Sequence, residues 1–194
     1  MTPVINLSDF REWRGATTLL LVDLYYGFGG VMPSEPGLDM ALANCAAALS
    51  HARARGIPVA FFRQIEAPKY LGSVVRVPTW LPGFEPKRTD MVFDRVLPSC
   101  FSSPEFVEMT NYTEGNCVLA GLYGETSCLA TLVDAHHRGH QMTFLADASV
   151  SRGCAELPGT AIHKSIAALA PLYGKVAAAK NWIRMTSQKL EAVG

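Results

Sequence analysis

The 194-residue sequence has no excess of charge of either sign, with 17 Lys and Arg facing 17 Asp and Glu. No basic field is available to grip a phosphate backbone, which argues against nucleic acid as a partner. Cysteine is sparse and unpatterned. The five residues, at 45, 100, 117, 128 and 154, form no CxxC or CxxH pairing. That leaves no basis for a disulfide framework or a zinc site and points to a reducing, cytoplasmic home. Long apolar runs are missing as well. The longest early one, Leu19 to Val22, is far too short to cross a bilayer, so no membrane partner is expected. Asp9, Arg11, Glu12 and Arg14 come before it, which is unlike a secretory leader. There is no internal repeat and no low-complexity tract. The glycines at 27, 29 and 30 lack the Lys-Ser/Thr pair of a phosphate-binding loop and read as a mobile loop.

What is present is a chain half hydrophobic and only 18% charged, enough for one substantial core, so residues 1–194 are read as a single domain. Thr17 to Asp23 is an almost unbroken β-branched and aliphatic run, the pattern of a strand buried on both faces. Leu38, Leu42, Cys45, Leu49 and Ala52 recur at helical spacing until Gly56 and Pro58 end the pattern. Further strands are expected at Ile57–Phe62, Met91–Phe93, Asn116–Ala120, Met142–Ala146 and Lys175–Ala177, the last finishing the chain. Helices are expected from Ser103-Pro104-Glu105 to about Asn111, over 127–138, and near 160–170. Residues 63–90 carry prolines at 68, 78, 82 and 86 and read as a long functional excursion. The alternation predicts an α/β fold: a doubly wound, Rossmann-like parallel six-stranded sheet with helices on both faces.

In such a sheet ligands bind beyond the carboxyl ends of the strands, which singles out a few residues. Asp23 ends a buried strand, where a carboxylate is costly unless it is paired or used, so it is a cap or a site acid/base. Arg95 follows the third strand and is a solvated charge unless the strand end carries it to Asp23. Ser127 and Cys128 open a helix whose first-turn amides favour negative charge. Ser127 shares a polar stripe with Thr131, Asp134 and Arg138, and Cys128 an apolar one with Leu132 and Ala135. Adjacent helical residues point about 100° apart, so the spacing turns Cys128 to the core and leaves Ser127 better placed. His136 and His140 stand at i, i+4 but have no third ligand in view, so no metal is expected.

Taken together, LLLVDLYYGF, DMVFDRVLPSCFSSPEF and VLAGLYGETSCLATLVDAHHRG…LADAS resemble, in order, three blocks of the isochorismatase-like hydrolase superfamily. That superfamily includes isochorismatases, nicotinamidases and N-carbamoyl-amide hydrolases. Its site is built from Asp, Lys and Cys. The resemblance puts Asp23 at the first position and Arg95 at the lysine. The cysteine position lies six residues after Gly121 and twelve before Gly139, and both counts meet at Ser127. The isochorismatase branch, which carries Gly at that position with Cys beside it, is similar to GLYGETSC, including Tyr123. It implies hydrolysis of a vinyl ether without a thiol, with Asp23 protonating the enol carbon. The branch's substrate glutamine is matched by Gln64 in PVAFFRQ.

The resemblance further implies substrate contacts from Gln64, Tyr123, Phe28 and Tyr25, and a small-molecule substrate. It implies no cofactor, no metal, and a homo-oligomer, dimer or larger. Two alternatives stay open: amide hydrolysis by Ser127 or by Cys128 after a one-residue shift of the turn, and a binding member without catalysis.

Overall fold

The computed structural model describes residues 18–27, 34–66, 77–112 and 116–191. Six strands, β1 (Thr18–Val22), β2 (Val59–Gln64), β3 (Met91–Arg95), β4 (Cys117–Leu122), β5 (Met142–Val150) and β6 (Lys175–Ala177), form one sheet in the order β3-β2-β1-β4-β5-β6. Every neighbouring pair is parallel. The helices are α1 (Leu38–Ala54), α2 (Pro104–Tyr112), α3 (Leu129–His137), α4 (Gly159–Leu169) and α5 (Ala179–Glu191).

The sheet needs cover on both faces because β1 and β4 are buried at every position. On one face Phe106 and Met109 of α2, Leu132 and Ala135 of α3 and Ile166 of α4 pack on Leu20, Val22, Phe62 and Leu119. On the other, Ala41, Cys45, Ala48, Leu49 and Ala52 of α1 join Trp182 of α5 over Leu19, Leu21, Phe61 and Val118. Two cores on opposite sides of one parallel sheet make the doubly wound arrangement that the alternation of runs predicts.

The differences from the sequence-based expectation are local. The chain does not end at β6, since α5 follows it. Strand β5 runs on to Val150, with a register shift against β4 between Leu119 and Gly121. The helix expected over 127–138 splits in two. Gly124–Cys128 is a π turn, and only Leu129–His137 is α-helical.

Strand order reverses between β1 and β4, so their carboxyl ends flank the crevice where such sheets take ligands. The approach is tightest at Gly121, with φ +137° and a hypothetical Cβ only 2.1 Å from the Val22 carbonyl oxygen. Gly139 also has positive φ, +75°, but nothing lies within 4 Å of its Cβ position. Gly121→Ala is therefore expected to lower the unfolding free energy by about 2 kcal/mol or more, from strain plus overlap. Gly139→Ala carries backbone strain alone, about 1 kcal/mol. Denaturant titration of the two variants checks the order; equal losses would remove the steric argument.

Candidate active site

Three chain segments meet at the reversal point. Val22 ends β1 and Asp23 follows with φ 60°, a left-handed conformation that aspartate tolerates better than most residues. Its N–H still bonds the Phe62 carbonyl (3.0 Å), so the carboxyl projects from the last rung of the ladder. Arg95 is the last residue of edge strand β3, whose burial alternates. Met91, Phe93 and Arg95 share the inner face by the two-residue period, which aims the guanidinium under the sheet end rather than into solvent. Ser127 lies in the π turn after β4.

The side chains close on one another. Arg95 Nη2 donates to Asp23 Oδ1 (2.6 Å) and Oδ2 (2.5 Å), and to Ser127 Oγ (2.9 Å). The Ser127 hydroxyl donates to Asp23 Oδ2 (2.5 Å). Exposure is 1% for Asp23, 1% for Arg95 and 2% for Ser127, so this is a desolvated cluster and not a surface ion pair. Arg95 Nη1 donates to the Leu97 carbonyl (2.7 Å) and contacts Gln64 Oε1 (3.5 Å). Its Nε is buried without a partner among the described residues.

Burial pushes the Asp23 carboxyl above its ordinary value, while Arg95 and the hydroxyls of Ser127 and Tyr25 pull it back. Tyr25 OH donates to that carboxyl and accepts the Gln64 N–H (3.2 Å). Burial and the Asp23 charge both push the phenol's own pKa up. Tyr25 is held in place from the long excursion: it bridges to Trp80, and the Leu81 N–H bonds the Leu24 carbonyl (3.0 Å).

Cys128 is placed differently. It is fully buried in the core with Leu132 and Ala135. Its sulfur reaches Ser149 Oγ (3.7 Å) and the Leu122 carbonyl (3.8 Å), and burial pushes the thiol pKa up. The hydroxyl, not the thiol, faces Asp23. Tyr123, with φ 57°, precedes the turn. Its half-buried ring packs on the second core and carries the Arg152 guanidinium 4.4 Å from its centroid. Arg152 is anchored in turn by Glu125 (2.9 Å).

One expectation needs correction. The first-turn amides are not open to an anion, because the N–H groups of Thr126, Ser127 and Cys128 all converge on the Tyr123 carbonyl. An anion site here has to use side chains or donors ahead of them. Thr131, on the polar stripe with Ser127, points inward like it. It is fully buried, donating to the Ser127 carbonyl (2.7 Å) and accepting the Cys100 N–H (3.0 Å). A threonine four residues after the serine was the signal for this second contact of the turn. Phe28 lies outside the described residues.

Among the described residues no group of three or more His, Cys, Asp or Glu could hold a metal. His140 stacks on Phe101 and His136 packs against Tyr173. No described helix is long and apolar enough to cross a membrane.

A doubly wound parallel sheet with a buried Asp-Arg-Ser cluster at its reversal point defines an α/β protein with an enzyme-like site. The family follows from the sequence match: the isochorismatase domain model covers residues 17–181, and the chain belongs to that family of hydrolases. No curated protein matches the chain. Solved structures with the same fold include an isochorismatase from Pseudomonas putida, 24% identical over 93% of each chain, with a TM-score of 0.70. A cysteine hydrolase from Pseudomonas syringae pv. phaseolicola is 17% identical over 95% of this chain and 97% of its own, with a TM-score of 0.73. N-carbamoylsarcosine amidase from Thermoplasma acidophilum is 17% identical, covers 84% and 96%, and has a TM-score of 0.65. At these identities the likeness shows the fold alone.

Removing Arg95 would leave a carboxylate buried without its cation. Arg95→Met is expected to cost about 3–5 kcal/mol at neutral pH, the usual penalty for breaking a buried pair. A folded-state pKa above the ordinary value means the native state holds the proton longer. The penalty is therefore small in acid, where Asp23 is neutral, and grows as pH rises through the folded pKa. Chemical denaturation at pH 5 and pH 8 measures the difference; a loss independent of pH would mean that Asp23 is not the group left stranded.

Proposed function

We propose that the protein is a hydrolase of a small polar metabolite that cleaves a C–O bond, of the vinyl-ether kind, without a cysteine nucleophile. The observation that carries this is the placement of the thiol. Cys128 is sealed in the core with a raised pKa, and the atom beside Asp23 is a hydroxyl. Vinyl-ether hydrolysis needs an acid and a water rather than a sulfur.

Asp23 is the acid. Its burial favours the neutral form. Oδ2 takes both Ser127 and Arg95, whereas of these two donors Oδ1 meets only Arg95, which makes Oδ1 the oxygen to carry the proton. The proton passes to the enol carbon and the ether oxygen shares the resulting positive charge. Water then adds to the oxocarbenium carbon and returns its proton to the Asp23 carboxylate. Collapse of the hemiketal breaks the C–O bond, giving an alcohol and a carbonyl compound. Arg95 steadies the carboxylate between the two proton transfers, and its unpartnered Nε–H is a donor for a substrate oxygen. Gln64 and Tyr25, which touch the cluster, and Tyr123, at the start of the π turn, serve as substrate contacts.

A second reading is favoured by a different observation. Ser127 Oγ donates to Asp23 and accepts from Arg95, the contacts a serine nucleophile would use with Asp23 as base. The amide-cleaving neighbour among the solved structures gives that chemistry a place in the fold.

The two readings separate by experiment. Turnover of a pyruvyl enol ether is expected to vanish in Asp23→Asn and to survive within about tenfold in Ser127→Gly, since one absent hydrogen bond costs about 1.4 kcal/mol or less. Cys128→Ala should keep its rate. The rate should fall as pH rises through the Asp23 pKa, because the acid form does the work. Loss of all activity in Ser127→Gly, with a rate that rises with pH, would establish the serine reading instead.

A further inference from the structure

Arg152 lies outside the Asp-Arg-Ser cluster yet is tied to the turn that carries Ser127. It follows the end of β5, and Glu125 in the π turn holds it twice. Glu125 Oε1 accepts the Nε–H (2.9 Å) and Oε2 the backbone N–H (3.2 Å). The guanidinium lies over the Tyr123 ring. These contacts fix an arginine whose side chain is still 53% exposed. A freely solvated arginine gives up rotamer entropy when it binds a ligand; here much of that loss is met beforehand. Among the described residues nothing hydrogen-bonds Nη1 or Nη2. That end of the fork pairs with a carboxylate through two parallel bonds.

Register relates Arg152 to the acid. Val22 pairs with Gly121 and Leu122 with Val150. Strands β1, β4 and β5 therefore end nearly level, and Asp23, Tyr123 and Arg152 follow three adjacent strand ends. With two strand spacings between them, the chain after β5 starts about 10 Å from Asp23, the span of a small metabolite. Tyr123 stands between the two. Burial pushes its phenol pKa up, Arg152 pulls it back and the Asp23 charge adds to the rise, so the ring feels both groups.

The charges select the ligand. Glu125 offsets Arg152, and Glu35 accepts the neighbouring Gly153 N–H (3.0 Å). A dianion such as phosphate would meet two carboxylates there, whereas a single carboxylate brings one charge to the free fork.

We propose that Arg152 is a specificity-determining residue of the site and recognises a carboxylate at the end of the substrate remote from the cleaved bond. That carboxylate is the far end of the small polar metabolite proposed above, and the assignment rests on that reading for the cleaved end. Lysine is no equivalent, because the planar fork supplies both the stacking on Tyr123 and the paired bonds.

Two pyruvyl enol ethers that differ only at the far end of the alkoxy group, a carboxylate in one and a carboxamide in the other, probe the preference in the full-length protein. Their saturated counterparts cannot be cleaved by this route, so isothermal titration calorimetry with them reads the same preference without turnover. The carboxylate is expected to bind about 10–100-fold more tightly, the worth of a charge-assisted bidentate pair. Arg152→Gln should bring the ratio of the two Kd values close to one, and Arg152→Lys should restore only part of it. Equal affinities in the unaltered protein, or a ratio that survives Arg152→Gln, overturn the proposal. A fall in both affinities by one common factor does so too, since Arg152 then only props the turn. If the ratio behaves as expected and neither enol ether turns over, the carboxylate subsite stands and the vinyl-ether reading falls.

Discussion

The contact between Arg95 and Asp23 sets the terms for the rest of the molecule. A guanidinium and a carboxylate, each 1% exposed, give up hydration worth several kcal/mol apiece, which only close mutual geometry and further hydrogen bonds can offset. The sheet supplies that geometry. Register pairs Gln64 with Arg95 and Val22 with Phe62, so the edge strand's last inward side chain reaches across the end of β2 to the residue that follows β1. The Leu97 carbonyl, the Ser127 hydroxyl and Tyr25 take up most of the remaining hydrogen-bonding capacity. The left-handed Asp23 and the glycine pressed on Val22 are local costs of bringing these groups to one point.

The same constraint explains how a serine and a cysteine side by side divide their roles. In a regular helix either could have been rotated inward. The π turn, the three amides gathered on one carbonyl, and the Thr131 bond to the Ser127 carbonyl fix the rotation. Ser127 is left among charged partners, which suit a hydroxyl, and Cys128 among apolar ones, which suit a neutral thiol. Cys100 and Cys117 share that fate, with burial pushing their pKa values up to about 12.

Much of this was legible in the chain. The strands showed as apolar runs because parallel strands are buried on both faces, and the site followed from where such sheets take ligands. Asp23 and Ser127 could be named from those rules, and stripe counting gave the inward turn of Cys128. Arg95 was harder. Its inward direction depends on sharing a strand with Met91 and Phe93, and the short run Met91–Phe93 looked finished before it. Helix α5 was missed because Lys180, Asn181, Arg184 and Lys189 crowd its sequence, and of its described side chains only Ala179 and Trp182 are buried. The π turn left no compositional trace.

The isochorismatase domain family therefore holds here a site in which a buried acid, an arginine and a hydroxyl stand together with the thiol turned away. The central claim is that burial outweighs the arginine in setting the acidity of Asp23. Carbon-13 NMR titration of the side-chain carboxyls, with Asp23 assigned by comparison with Asp23→Asn, measures this directly. The account predicts a midpoint clearly above the ordinary 3.8. A midpoint at or below that value would show that Arg95 holds the group as a permanent carboxylate, and would contradict its role as the acid.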